Sequence, residues 1–279
     1  MMPGRIAWAI TAAALAAGAV RRRRRRREEE RARYDFRGRT VLITGGSRGL
    51  GLVLAREFGA HGARIVLCAR DSAALVRAQR DLQGAGVATL MVPCDVGIRE
   101  DVQRAVQRAM DHFGDIDVLV NNAGVIVVGP AETMTPADYE EAMRVHFWGP
   151  LHMVQAALPS MRRRGGGRVV NISSIGGKIS VPHLLPYAAS KFALAGLSQG
   201  LRAELAADGI LVTTVYPGLM RTGSTRQALF KGRHRAEHTW FSLAGTLPLL
   251  SMNAERAGRE IVAACRRGDA ELILSPPAR

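Results

Sequence analysis

Three side chains in the second half of the sequence have the types and the spacing of a proton-transfer site. Tyr187 and Lys191 are four residues apart, so on a helix they share a face, and Ser174 precedes the tyrosine by thirteen residues. A free phenol has a pKa of about 10, which a nearby ammonium group lowers towards neutrality. We therefore interpret Tyr187 as a general acid or base, Lys191 as its activator and Ser174 as a donor to a carbonyl oxygen. Neighbouring strand residues point to opposite faces, so only one of Ser173 and Ser174 is expected to meet the substrate.

A glycine-rich segment, Thr44-Gly45-Gly46-Ser47-Arg48-Gly49-Leu50-Gly51, follows the first predicted strand and precedes a helix. Its glycines permit positive φ and close approach of the backbone, and a helix N-terminus offers free N–H groups to a phosphate. This placement is typical of a dinucleotide pyrophosphate site. The alternative is a turn that only reverses the chain, which the downstream residues make a poor explanation.

The end of the second predicted strand favours NADP(H) over NAD(H). A site for NAD(H) usually has an acidic residue there for the ribose hydroxyls, whereas a 2′-phosphate is bound by arginine. This strand ends in Ala69-Arg70, and Arg48 of the glycine loop is able to reach the same phosphate. Asp71 competes with this interpretation, but Asp-Ser before an apolar helix is better read as a helix cap. Asp95, followed by Val96, is placed either to accept from the adenine amine or to cap a loop.

Short apolar runs alternate with amphipathic stretches over residues 40–279, which predicts βαβ units, a parallel sheet and a single domain after a charged linker at 28–39. The predicted strands are Thr40–Thr44, Arg64–Ala69, Thr89–Cys94, Asp117–Asn121, Arg168–Ser173, Ile210–Tyr216 and Glu271–Leu274. The predicted helices are Gly49–His61, one beginning at Asp71 or Ser72, Arg99–Phe113, Pro136–Met161, Pro186–Asp208 and Ala254–Arg267.

Residues 219–252 have no clear periodicity and are predicted to form a lid. Their large apolar residues suit either a cavity mouth or a contact between subunits: Leu219, Met220, Leu229, Phe230, Trp240, Phe241, Leu243, Leu247, Leu249 and Leu250. The basic residues among them would meet lipid headgroups, an acidic substrate or solvent: Lys231, Arg233, His234, Arg235 and His238.

Composition limits the class of protein. The chain has 279 residues and 47% hydrophobic content, enough for one large α/β core. Cys68, Cys94 and Cys265 form no CxxC pair, which argues against a disulfide framework or a metal site and suits a reducing compartment. The formal charge of +15 is uneven, because twelve arginines against four acids in residues 1–40 account for eight of those charges.

The N-terminal segment has the pattern of a membrane anchor. Residues 6–20 are uncharged and mostly apolar, and Arg21–Arg27 follows at once. As a helix they span roughly 22 Å, short of the hydrocarbon core of about 30 Å, so residues 1–4 and a snorkelling Arg21 would have to help. The positive-inside rule then predicts a membrane-associated protein, held through residues 1–27, with its catalytic domain in the cytoplasm. An interfacial anchor and a disordered basic tail are alternatives. A nucleic-acid patch is disfavoured because no aromatic residues interrupt the arginines.

These motifs together resemble the short-chain dehydrogenase/reductase family over residues 38–274. The motifs are TGGSRGLG (44–51), Asp95-Val96, NNAG (121–124), Asn171–Ser174, YAASK (187–191) and PGLMRT (217–222). The resemblance implies a Rossmann-type, doubly wound α/β domain with a seven-stranded parallel sheet flanked by helices. It implies Tyr187 as acid/base, Lys191 as ribose binder and tyrosine activator, and Ser174 as the residue that orients the carbonyl. It also implies that the glycine loop contacts the cofactor and that Asn121, Ala123 and Gly124 flank the cofactor and steady the central strand. Pro217, Gly218 and Thr222 would hold the nicotinamide carboxamide.

One position departs from the family's pattern. The family usually has an asparagine in the helix after strand four that supports a water chain to the lysine, and His146 corresponds to it within Val145–Gly149. An imidazole also hydrogen-bonds water, so His146 is a candidate fourth catalytic residue. It could instead pack or cap between helices, or mark reduced activity.

We therefore predict an NADP(H)-dependent oxidoreductase that acts on a carbonyl or secondary alcohol. The apolar anchor suggests a hydrophobic, lipid-like, sterol-like or retinoid-like substrate. In this family the helices around 138–161 and 186–208 form a four-helix contact, which implies a homodimer or homotetramer. The rival prediction is a membrane-tethered NADP(H)-binding scaffold or redox sensor with weak turnover, supported only by His146. Nucleic acid is not expected as a partner.

Overall fold

The computed structural model of the protein describes residues 34–221, 228–232 and 251–274. Its strands are β1 (Thr40–Thr44), β2 (Arg64–Ala69), β3 (Thr89–Pro93), β4 (Val118–Asn121), β5 (Val127–Val128), β6 (Gly167–Ile172), β7 (Ile210–Pro217), β8 (Leu219–Arg221), β9 (Leu229–Phe230), β10 (Ser251–Asn253) and β11 (Glu271–Leu274). Its α-helices are α1 (Gly49–Ala60), α2 (Ser72–Gly84), α3 (Arg99–Phe113), α4 (Pro136–Met143), α5 (Gly149–Arg163), α6 (Leu185–Leu205) and α7 (Ala254–Arg267).

Seven strands form one parallel sheet in the order β11-β7-β6-β4-β1-β2-β3. The chain winds outwards from β1 to β3, returns to β4 and then winds outwards the other way. This change of direction opens a crevice at the carboxyl ends of β1 and β4. The predicted Rossmann-type fold with a seven-stranded parallel sheet is confirmed.

Each face of the sheet is covered by helices, which is why the five inner strands are buried on both sides. Every residue of β1 is buried, and alternate residues belong to opposite cores. Val41 and Ile43 pack with buried residues of α1, α2 and α7, whereas Leu42 packs with buried residues of α3 and α5. The two cores hold rigid the strand ends from which the site is built.

The predicted long helix Pro136–Met161 is interrupted. It consists of α4, a π-helical turn at Arg144–Trp148, and α5. A π turn carries an extra residue per turn and often occurs at functional sites. Here it contains the buried side chain of His146.

Four short strands were also missed by the sequence analysis. β5 pairs with β9 and β8 pairs with β10, each as a separate parallel pair two or three residues long. Such short runs have too few residues to show a period of two. The bounds of the seven main strands differ from prediction by at most one residue at each end.

Several predictions lie outside the described residues. These are the anchor at 1–27, the linker as far as residue 33, Thr222, and the lid segments 222–227 and 233–250. Of the helices in the part of the chain that the structure describes, none has both the length and the apolar character needed to cross a bilayer.

Candidate active site

A cavity of about 880 Å³ lies at the carboxyl edge of the sheet. It brings together sixteen of the predicted site residues: Gly45, Ser47, Arg48, Gly49, Leu50, Arg70, Asp95, Val96, Ala123, Gly124, His146, Ser174, Tyr187, Lys191, Pro217 and Gly218. Thr44, Gly51 and Asn121 lie behind this wall rather than in it. The glycine loop and the predicted catalytic residues therefore share one cavity, as a hydride-transfer site requires.

The glycine loop is folded by close contacts between backbones. Gly45 has a φ of +63°, and a Cβ there would lie 2.9 Å from the Cα of Ala123. A Cβ on Gly51 would lie 2.2 Å from the carbonyl oxygen of Gly45. The hydroxyl of Thr44 accepts from the N–H groups of Asn122 and Ala123, at 2.9 and 3.1 Å. Thr44 and Gly51 thus shape the loop from behind.

The first turn of α1 faces the cavity and is fit to hold a phosphate. Its N-cap residue Arg48 is extended, and among the described residues no side chain accepts a hydrogen bond from this helix start. The first turn contains no acidic residue. The N–H groups of a first turn have no partner within the helix, and the helix dipole favours an anion there. These features match a dinucleotide pyrophosphate.

The nucleotide end of the cavity, away from Tyr187, contains two arginines and a hydrogen-bonded carboxylate. Arg48 and Arg70 are exposed, and neither forms an ion pair within the described part of the chain. Asp71 caps α2 by accepting from the N–H of Ala74 at 2.9 Å, as predicted. Asp95 accepts from Arg144 at 2.9 Å, and from the backbone N–H of the next residue but one. Burial disfavours the Asp95 carboxylate, but these hydrogen bonds outweigh that effect and lower the pKa of Asp95.

The three predicted catalytic side chains meet in the middle of the cavity. Ser174 follows β6 and lies close to Tyr187 near the start of α6, since a Cβ on Gly176 would lie 3.4 Å from both the Ser174 hydroxyl and the Tyr187 ring. One turn further on, the Nζ of Lys191 lies 5.6 Å from the centre of the Tyr187 ring and donates to the carbonyl of Ile172 at 2.8 Å. The predicted spacing on one helix face is therefore realised.

Burial controls the pKa values of this group. Burial raises the pKa of Tyr187, and the hydrogen bond with Ser174 offsets part of the rise. Burial also lowers the pKa of Lys191 to about 7. The predicted lowering of the tyrosine pKa by Lys191 is therefore not produced by the protein alone, because a low dielectric penalises phenolate and ammonium alike.

The two adjacent serines have different roles. Ser173 is buried and donates to the carbonyl of Lys191 at 3.0 Å, so it ties the end of β6 to α6. Ser174 accepts from the N–H of Gly176 at 3.0 Å, which leaves its own O–H proton for Tyr187 or a bound oxygen. Ser174 is therefore the serine suited to orient a substrate, and Ser173 supports it.

Asn121 stabilises the sheet instead of lining the cavity. Its amide donates to Asn171 at 2.9 Å, and Asn171 donates to Ser198 on α6 at 2.8 Å. This chain of buried polar groups joins β4, β6 and the helix of Tyr187. The resemblance implied that Asn121 both flanks the cofactor and steadies the central strand, and only the second role is visible here.

His146 is completely buried, and both ring nitrogens bond to protein. Nε2 accepts from the N–H of Val125 at 3.1 Å, and Nδ1 lies 2.7 Å from the hydroxyl of Ser190. The expected bond from the imidazole to a water would have to displace one of these partners. Burial and the nearby charge of Lys191 lower the pKa of His146 well below its ordinary value.

Comparison with known families settles what kind of domain surrounds this cavity. A family profile described as short chain dehydrogenase matches residues 39–231, well over half of the chain. This protein belongs to the short-chain dehydrogenase/reductase family. It is therefore an oxidoreductase of a family whose reductases act on CH–OH and C=O groups and bind NAD(P)(H).

Individual relatives of this short-chain dehydrogenase agree. Dehydrogenase/reductase SDR family member 7B of Bos taurus is 34% identical over 254 residues, 88% of this chain and 76% of the relative. Dehydrogenase/reductase SDR family protein 7-like of Anopheles gambiae is 40% identical over 198 residues, 69% of this chain and 62% of the relative. L-Sorbose reductase from Gluconobacter frateurii, solved with NADPH and L-sorbose, has a TM-score of 0.77 and 27% identity, covering 87% of this chain and 98% of that one.

Three residues of the site were missed by the sequence analysis. Asn122 donates to the carbonyls of Thr44 and Gly45 at 3.0 and 3.2 Å, and so closes the glycine loop. Arg144 holds Asp95, and Ser190 bonds His146. Asn122 lies in the NNAG motif and could have been found there. Arg144 and Ser190 act through partners 49 and 44 residues away, and no local pattern marks them.

Proposed function

We propose that this enzyme transfers a hydride between NADP(H) and a carbonyl or secondary alcohol group. The observation that carries the proposal is the meeting of Ser174, Tyr187 and Lys191 in the one cavity that the glycine loop also lines. The nicotinamide supplies the hydride when it is bound. Tyr187 supplies or accepts the proton at its phenolic oxygen, and the Ser174 hydroxyl holds the substrate oxygen.

The pKa of Tyr187 and the position of Lys191 fit these roles in proton transfer. A raised pKa keeps Tyr187 protonated at neutral pH, as an acid that protonates a developing alkoxide must be. In the reverse direction Tyr187 must lose a proton, and we propose that the positive charges of Lys191 and of the oxidised nicotinamide lower its pKa then. Lys191 would also bind the nicotinamide ribose through its ammonium group.

We propose that the glycine loop and α1 would hold the nucleotide, with Ala123, Gly124, Pro217 and Gly218 around the nicotinamide. We propose NADP(H) rather than NAD(H), because Arg48 and Arg70 line the cavity where a 2′-phosphate would lie. Asp71, the acid that could favour NAD(H), is engaged as a helix cap. Asp95 and Val96 would contact the adenine.

We propose a hydrophobic substrate. Beyond Ser174 and Tyr187, the cavity wall is formed by apolar side chains: Ile126, Val181, Leu184, Met220 and Leu229. Phe230 packs behind this wall with Val128, Ile126 and Leu184. A carbonyl on an alkyl, sterol-like or retinoid-like body would bury apolar surface against these described side chains, whereas the hydroxyls of a sugar would find no hydrogen-bond partner among them.

The experiment that tests the function is Tyr187→Phe, which keeps the ring and removes the acid. We expect reduction of a hydrophobic ketone such as 2-decanone to fall at least about 100-fold, within the range for losing a general acid, while NADPH binding changes little. Tyr139→Phe on α4 is the matched control, because Tyr139 lies outside the cavity and should leave turnover unchanged. Turnover that survives in Tyr187→Phe would refute the assignment.

The same assays separate the enzyme from the rival scaffold or redox sensor. An enzyme oxidises NADPH with at least one carbonyl of a broad panel. A scaffold binds NADPH with similar affinity and transfers no hydride to any of them. We favour the enzyme because Ser174, Tyr187 and Lys191 line the same cavity as the glycine loop, which supports hydride transfer.

We propose that residues 1–27 attach the protein to a membrane, with the domain from residue 40 onwards in the cytoplasm. The apolar run at 6–20 and the arginines at 21–27 support this proposal. Deletion of residues 1–27 should move the protein to the soluble fraction with NADPH binding intact. Persistent membrane association would instead implicate residues 219–252.

We also propose that the protein forms a homodimer or homotetramer, which sedimentation of the purified protein would test.

A further inference from the structure

We propose that His146 is a positioning residue whose neutral imidazole, with its proton on Nδ1, couples the nicotinamide side of the cavity to the helix that carries Tyr187. This inference rests on the proposed function, because the coupling acts on hydride transfer. It differs from a role in proton relay, in which the imidazole would exchange protons with water or with Lys191.

The geometry identifies three elements that His146 joins. The residue itself lies in the π-helical turn between α4 and α5. Its Nε2 bonds the N–H of Val125, in the loop that follows β4, and its Nδ1 bonds Ser190 on α6. The ring also meets the Tyr187 ring edge to face, with centroids 5.5 Å apart and planes at 89°.

The partners determine where the proton lies. A backbone N–H only donates, so Nε2 must be the unprotonated nitrogen that accepts from Val125. Ser190 donates its own proton to the carbonyl of Tyr187 at 2.8 Å, so its oxygen accepts from Nδ1–H. The result is a directed chain of hydrogen bonds from Val125 through His146 and Ser190 to the backbone of Tyr187.

This arrangement leaves no place for a second proton. Protonation of Nε2 would turn two donors, the ring and the Val125 N–H, towards each other in a fully buried position. Lys191 is the nearby cation and also disfavours a charged ring, and Tyr187 is the other titratable group in contact. The ring is thus held as a rigid spacer.

Each end of the spacer reaches a different part of the reaction. Val125 and Gly124 line the cavity, and a Cβ on Gly124 would lie only 3.0 Å from Nε2. The loop must therefore lie directly against the imidazole. The Ser190 end fixes the first turn of α6, from which the Tyr187 side chain extends. A shift of about 1 Å in a catalytic group can cost about 100-fold in rate.

Two single substitutions separate the two ends. The amide of Asn in His146→Asn reaches the position of Nδ1, so it keeps a bond to Ser190 and releases Val125. The amide of Gln in His146→Gln reaches the position of Nε2, so it keeps an acceptor for Val125 and releases Ser190. We expect His146→Asn mainly to weaken NADPH binding, and His146→Gln mainly to lower kcat for 2-decanone, each by about tenfold, well within the range for a misplaced group.

Ser190→Ala is the matching change on the other partner. It should reproduce the kcat loss of His146→Gln. The double variant His146→Gln/Ser190→Ala should lose no more kcat than either of these two single variants. Equal losses of kcat and NADPH affinity in all variants, in proportion to a lowered Tm, would show that His146 only packs and would overturn the inference.

A spectroscopic test does not depend on turnover. In ¹⁵N-histidine-labelled protein, the His146 signals, assigned by their absence from His146→Gln, should show Nδ1–H and a bare Nε2 from pH 5.5 to 9. A ring that titrates in this range, or a proton on Nε2, would refute the inference. If the wild-type protein binds NADPH but reduces no carbonyl, the proposed function fails, and these spectra still decide the state of His146.

Discussion

The two ends of the cavity are built by different means. At the nucleotide end, backbone meets backbone: the position of a Cβ on Gly51 lies 2.2 Å from the Gly45 carbonyl, and α1 begins with its N–H groups facing the cavity. At the substrate end, the wall consists of apolar side chains such as Val181, Leu184 and Leu229. The first end should not tolerate a single added methyl group, whereas the second should accept substitutions with gradual effects. Tyr187 and Lys191 lie where the two ends meet.

The largest effect on NADPH affinity is expected for Gly51→Ala at the nucleotide end. The added methyl group must push the Gly45 carbonyl and the Asn122 amide out of the loop. We expect the NADPH Kd, measured by titration, to rise about 100-fold or more, equivalent to nearly 3 kcal/mol. The free energy of unfolding should also fall by about 1–3 kcal/mol, the usual cost of overpacking.

Gly84→Ala is the control for that substitution. Gly84 ends α2, and no heavy atom outside its neighbours lies within 4 Å of its Cβ position. Alanine there should leave NADPH binding unchanged and slightly stabilise the protein. Equal NADPH affinities in the two variants would show that the glycine loop does not hold the nucleotide.

The contrast between the ends explains what the sequence could predict. Glycines that allow close approach stand next to one another in the chain, so the phosphate loop, β1 and α1 could be recognised together. The five inner strands of the sheet are mostly apolar runs buried on both faces, and the bounds of all seven main strands were predicted to within one residue at each end. β5 and β9 were missed because they are two residues each and pair over 100 residues apart.

A second large effect, on the pH dependence of stability, is expected for Lys191, which lies where the two ends of the cavity meet. Its folded pKa of about 7 lies below the unfolded value of about 10.4, so between these limits the unfolded chain binds more protons. The stability of the wild-type apoprotein relative to Lys191→Met should therefore rise with pH between 7 and 10, by up to about 1.4 kcal/mol per pH unit. Urea unfolding at several pH values measures the difference.

Lys178→Met is the control for the pH series. Lys178 pairs with Glu271 at 2.8 Å at the surface, where its ammonium group stays in contact with water, so the Lys178→Met variant removes a lysine without removing a buried one. A flat series for Lys191→Met would mean that the buried lysine keeps its charge. That result would restore the sequence-based expectation of an ammonium group beside the tyrosine.

The catalytic site was less predictable than its residue types suggest. The types and spacing of Ser174, Tyr187 and Lys191 were sufficient to place them together. Their pKa values depend on burial, which a motif does not encode. For the same reason the two bonds of His146 could not be predicted, because Val125 and Ser190 become its neighbours only when three elements pack.

A smaller effect is expected at the far edge of the nucleotide end, for Arg70→Ser. An exposed arginine contributes through a charge-assisted bond to a phosphate, so its loss should lower kcat/KM for NADPH about tenfold and leave that for NADH nearly unchanged. Arg80→Ser on α2 is the control, since Arg80 is exposed but does not line the cavity. A preference for NADH in the wild-type protein would contradict the assignment of NADP(H).

The smallest effect tests the substrate end, with Leu229→Ser. Leu229 lines the cavity yet is 66% exposed, so its substitution should change the free energy of unfolding by less than about 0.5 kcal/mol. Lost apolar contact should raise KM for 2-decanone about three- to tenfold and for 2-butanone hardly at all, because only the longer chain reaches this wall. Ile273→Ser on β11 is the control, since Ile273 is similarly exposed, at 54%, but lies outside the cavity. If 2-decanone and 2-butanone respond equally, the apolar wall does not select the substrate, and the hydrophobic class proposed for it is wrong.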